Sequence, residues 1–75
     1  SNMWISCRVG NTRTIINSNS ITVIEQHGKE IKALVDTADR KRLFTIGIYK
    51  DVDTASRKMD MFEVAIIEKK EHFKM

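Results

Sequence analysis

The sequence predicts an α+β domain: a five-stranded antiparallel curved sheet or half-barrel, run as a β-meander and packed by one C-terminal helix. Two observations predict it. Apolar residues alternate with polar ones over the first fifty positions, in segments separated by short turn signals. The period then switches to that of a helix, and no Gly or Pro interrupts positions 53–75.

Trp4–Val9 alternates, with Ile5, Cys7 and Val9 on one face and Trp4, Ser6 and Arg8 on the other. Gly10-Asn11 suits a tight hairpin, because both residues tolerate positive φ. Thr12–Asn17 is rich in β-branched residues and reads as the second strand. The polar run 17–20 is a turn. Residues 21–26 form the third strand, with Ile24 on the face opposite Ile21 and Val23. His27-Gly28 turns the chain into a fourth strand over 29–36, with Ile31, Ala33 and Val35 on one face. Residues 37–42 read as a charged loop. Residues 43–49 form the fifth strand, with Phe44, Ile46 and Ile48 on one face and Leu43 and Tyr49 on the other. Gly47 within that strand marks a bulge, a bend or a close backbone approach.

Asp51 or Asp53 can cap the helix, predicted over 53–71. Ala55, Met59, Phe62, Ile66 and Phe73 fall within about 60° of one another at 100° per residue, one stripe to lay on the sheet. Lys69, Lys70 and Lys74 suit the negative end of the helix dipole.

The chain has 75 residues, room for one small domain with a thin core. Residues 1–2 read as a tag scar and 3–75 as the domain. No run approaches the ~20 apolar residues of a membrane span. The single Cys7 cannot form an internal disulfide, which points to a reducing cytoplasm.

The apolar residues outnumber the faces that one sheet and one helix can cover. Met61, Val64 and Ile67 form a second helical set, away from the first stripe. Ile48 and Trp4 add to the excess. Contiguous exposed apolar surface marks a contact site, so the sequence predicts a homo-oligomer, a dimer first, built on Met61, Val64, Ile67, Trp4 and Ile48.

The net charge is +3, with one basic cluster at Arg40, Lys41 and Arg42. That cluster could hold a phosphate backbone, the alternative reading of the chain as a nucleic-acid-associated accessory protein. Arg8, Arg13, Lys29 and Lys32 would extend it if their strands faced the same way. Asp36 and Asp39 beside the cluster, and the lack of interleaved aromatics, favour a solvated loop instead. Cys7, His27 and His72 are the only soft metal ligands, and none is paired at zinc spacing. No phosphate loop, nucleophile elbow or zincin motif is present, so the reading is non-enzymatic, with no catalytic residues, cofactor or metal.

Ile15-Ile16-Asn17, the pair Ile21 and Ile24, Gly47-Ile48-Tyr49 and Ala55 together give the chain a resemblance. It resembles a loose group of small, mostly uncharacterised proteins of Gram-positive bacteria, their phages and mobile elements. The resemblance covers most of the chain and implies a sheet-plus-helix fold similar to a pleckstrin-homology-like barrel. Ile48 departs from it, since related sequences often carry a polar residue there. No functional residue follows from it.

Overall fold

A computed structural model describes residues 2–75. The order of elements is β1 (Trp4–Val9), β2 (Thr12–Asn17), a 3-10 turn (Ser18–Ser20), β3 (Ile21–His27), β4 (Glu30–Asp36), β5 (Lys41–Ile48), α1 (Val52–Ile67) and β6 (His72–Lys74). The fold is α+β with one C-terminal helix, but the strands do not form a single five-stranded meander. They make two three-stranded sheets, ordered β2-β1-β6 and β3-β4-β5.

The hairpins form where the turn chemistry places them. Gly10 and Gly28 have φ of 61° and 63°, conformations that only glycine adopts without strain. The meander breaks after β2. Asn17 there caps the 3-10 turn, its side chain accepting from the Asn19 amide at 3.0 Å, and Ser20 Oγ donates back to the Asn17 carbonyl at 2.7 Å. That turn carries the chain from one sheet to the other.

Two bulges decide which side chains face inward. In β3, Ile21 pairs with Val35 and Val23 with Leu34, so Thr22 is the extra residue. Ile21 and Ile24, three apart, therefore both reach the core, whereas strict alternation set them on opposite faces. In β5, Gly47 pairs with Ile31 and Thr45 with Lys32, leaving Ile46 as the extra residue. Phe44 and Ile46 still face inward, but the parity changes after them. Ile48 turns out to solvent and Tyr49 turns in against the core, so Ile48 does not share a face with Phe44 and Ile46 as strict alternation sets it.

The core has two joined parts. Cys7 and Ile16 from the first sheet meet Ile31, Ala33 and Ile46 from the second. Met3, Ile5, Phe62 and Ala65 pack under the helix, with Ile21, Ile24 and Met75 touching both parts. Ile5, Ile31 and Ile46 are fully buried, worth about 1.5–3 kcal/mol each.

The helix starts where Asp51 caps it, its carboxylate accepting from the Thr54 amide at 2.7 Å. The Thr54 side chain and backbone, and the nearby Arg57, hold that carboxyl below its ordinary range. The buried helical stripe is Ala55, Phe62 and Ala65; Ile66, expected within it, is half exposed.

The helix ends at Ile67, four residues before the predicted end. Lys70 N–H donates to the Ala65 carbonyl at 3.0 Å and Lys69 N–H to the Ile66 carbonyl at 3.1 Å, a Schellman closure. Lys69 sits there at φ 57° without the glycine that normally signals such a stop. The turn frees His72–Lys74 to pair parallel with β1, so Phe73 and Lys74 belong to a strand and not to the helix. Replacing Lys69 by glycine should relieve about 1 kcal/mol of left-handed strain. Calorimetry should then show the melting temperature rising by about 4–8 °C.

Candidate functional site

The basic cluster does not form one patch. Arg40 lies in the β4–β5 turn, where its carbonyl accepts from the Thr37 amide at 2.9 Å and from the Thr37 hydroxyl at 3.2 Å. Lys41 and Arg42 are adjacent in β5, so their side chains leave on opposite faces. Lys41 is opposite Asp36 on β4. Arg42 stacks on the Phe44 ring, 4.4 Å from its centroid.

The residues expected at an oligomer interface are all exposed. Trp4 lies on the outer face of β1 and Ile48 at the outer end of β5. These belong to two sheets that pack by their inner faces, so they point apart. Met61, Val64 and Ile67 share the outward side of α1, at 56%, 50% and 72% exposure. Spaced by three, they form one oblique ridge across the helix.

An open groove of about 760 Å³ lies between β3 and α1. Ile21, Ile24, Met59, Phe62 and Ala65 make its apolar floor, and Asp60, Glu63, Lys69 and Lys70 stand among its lining. β3 is an edge strand, so one row of its backbone groups has no strand partner. Ile66 links the groove to the ridge, since it lines the groove and precedes Ile67. The groove was missed from sequence because it needs both the β3 bulge and the switch between sheets.

A second apolar feature arises from register alone. Val23, Leu34 and Leu43 are successive cross-strand partners on the outer face of the second sheet, with Val23 and Leu43 exposed. The alternation in each strand showed the outward residues; their alignment in one row did not follow from it.

The cysteine is buried and both histidines lie on the surface. Cys7 is buried and its thiol approaches the Thr14 carbonyl at 3.5 Å; burial pushes its pKa up, which keeps it a thiol. Burial, then the neighbouring Cys7, raises the Tyr49 phenol as well. His27 pairs with Glu25 at 2.9 Å and His72 bonds Ser6 at 2.5 Å, both on the surface. Among the described residues no three His, Cys, Asp or Glu side chains converge on a metal position. No helix of the described residues is long and apolar enough to cross a membrane. The chain matches no family model, no curated protein and no solved structure.

Proposed function

We propose that this chain is a small, non-enzymatic protein-interaction module that self-associates through α1. The observation that carries the proposal is the ridge of Met61, Val64 and Ile67 on the helix face turned from the core. Contiguous apolar surface of this kind is uncommon on a soluble monomer. A second copy is the natural occupant. A two-fold axis beside Val64, with the helices antiparallel, would set Met61 of each copy against Ile67 of the other. The groove beside β3 continues this surface through Ile66 and gives the module room for a partner segment. Trp4 and Ile48 stand outside this contact.

With this proposal go a cytoplasmic location and an origin of the Gram-positive, phage or mobile-element type. Its free, buried Cys7 suits a reducing compartment, and two small sheets with a helix along their open side suit a pleckstrin-homology-like plan.

Sedimentation equilibrium tests the interface. The wild type should show a mass that rises with concentration toward the dimer, and its melting temperature should rise with it. Val64→Asp, at a half-exposed position, should give a folded monomer at every concentration. A wild-type monomer mass up to millimolar concentration, or a Val64→Asp variant that dimerises like wild type, overturns the proposal.

A further inference from the structure

The outer face of the first sheet carries a charge pattern that neither its own stability nor the α1 contact explains. Its side chains follow from the strand register. His72, Trp4 and Asn17 form one row across the three strands, Lys74, Ser6 and Ile15 the next, and Arg8 with Arg13 the last. Every charged group at these outward positions is basic. The nearest carboxylate in sequence, Glu71, lies just before β6, where its carbonyl accepts from the Trp4 amide at 2.9 Å, and among the described residues its side chain makes no ion pair. Arg8 and Arg13 are directly opposed, an arrangement that repels. Among the described residues the ion pairs are His27–Glu25 and Lys70–Glu68, so neither arginine is neutralised by a carboxylate, nor is Lys74. A local rule broken without local compensation is expected at functional surfaces.

The same face exposes the only tryptophan. Trp4 is 48% exposed in the row with His72, whose ring is tied to Ser6. Trp4 and Arg8 are four positions apart on one strand, about 13 Å along it. The face therefore combines a flat aromatic platform with unpaired guanidinium and ammonium groups. Unpaired bases stack on such an aromatic while the cations follow the phosphates. A duplex hides its bases and offers the tryptophan no face to stack on.

We infer that the outer face of the first sheet binds single-stranded nucleic acid, with Trp4 stacking a base and Arg8, Arg13 and Lys74 holding phosphates. This places the polyanion site away from the Arg40–Lys41–Arg42 turn. It is also independent of self-association, because α1 packs against the inner side of this sheet through Phe62, Ile5 and Phe73.

The single tryptophan makes the test direct. Oligothymidylate and oligouridylate of about 12 nucleotides are titrated at about 50 mM salt, followed by Trp4 emission and by anisotropy of the labelled strand. Quenching of Trp4 is expected, with log K falling against log salt at a slope of about −2 for three phosphates. Arg8→Ala/Arg13→Ala should weaken binding roughly tenfold to a hundredfold and reduce that slope by about 1.4. Trp4→Ala should weaken binding roughly tenfold by anisotropy. Changing Arg40, Lys41 and Arg42 to alanine should leave affinity within about threefold, because their side chains do not lie on this face. Arg13→Gln alone, on an edge strand, provides a milder variant if the double one fails to fold. Absence of quenching and of an anisotropy change at about 100 μM protein overturns the inference. So does binding that is lost only with the turn variant, equal affinity for a duplex of the same length, or binding to phosphatidylserine vesicles without binding to either oligonucleotide.

Discussion

Phe62→Ala is expected to cost about 3–5 kcal/mol and to move the unfolding transition to much lower denaturant concentration. The whole stability of a domain this size is about 4–11 kcal/mol. Phe62 is 5% exposed and packs with Met3, Ile5 and Ala65. Its ring meets Phe73 edge-on, with centroids 5.2 Å apart and planes at 73°. The other buried helix residues are Ala55 and Ala65, whose methyl groups let the helix lie close but bury little area. The attachment of α1 therefore rests chiefly on the Phe62 ring, with the partly buried Met59 packed on the core one turn before it. β6 depends on that ring too, since Phe73 is its inward residue and its pairing with β1 covers only Trp4, Ile5 and Ser6. Urea titration should show the loss of stability, with loss of helical signal in the same transition. A cost below about 1 kcal/mol would mean that the helix is held by something else.

The positions of β1 to β4 were legible because turn residues with a physical task bound them, Gly10 and Gly28 foremost, whereas β6 and the start of β5 carry no such signal. The burial of Ile31 and Ala33 also followed from alternation alone. Alternation failed where a residue was inserted. The bulges at Thr22 and Ile46 shift the inward set by one, and the side-chain period of two carries each shift to the end of its strand. Strict alternation therefore separates Ile24 from Ile21 and groups Ile48 with Phe44 and Ile46, where the bulges do the reverse. The helix end was illegible for another reason: Lys69 takes a left-handed φ with no glycine to announce it. Phe73, placed by spacing on the helix and facing the sheet, instead faces the helix from a strand and meets Phe62. The helix ridge was legible as a set of residues at helical spacing, since exposure on a helix depends only on phase. The basic face of the first sheet was not, because it requires β6 beside β1 and no local pattern encodes that pairing.

Gly47→Ala should destabilise the protein by about 1–3 kcal/mol, and the cost should depend on Tyr49. A methyl group at position 47 would lie 2.6 Å from the Tyr49 Cε2 and hydroxyl oxygen and 2.8 Å from Cζ. A ring at the end of a side chain can ordinarily swing aside. This one is held, because its hydroxyl donates to the Met75 carbonyl at 2.6 Å and its ring packs on the core. Expelling it would also release the chain end from β1, where the Met75 amide donates to the Ser6 carbonyl at 2.8 Å. Tyr49→Phe isolates the hydroxyl and should cost about 1 kcal/mol. The double-mutant cycle separates the two reasons for a glycine here. In a Tyr49→Ala background the clash is gone, and Gly47→Ala should become neutral or gain about 0.5–1 kcal/mol from reduced chain entropy. The resulting coupling of about 1–3 kcal/mol would show that space under the ring demands the glycine. An equal cost in both backgrounds would instead assign the requirement to the bulged backbone at Ile46, and Tyr49 would then be a passenger on β5 rather than the clasp that joins it to the chain end.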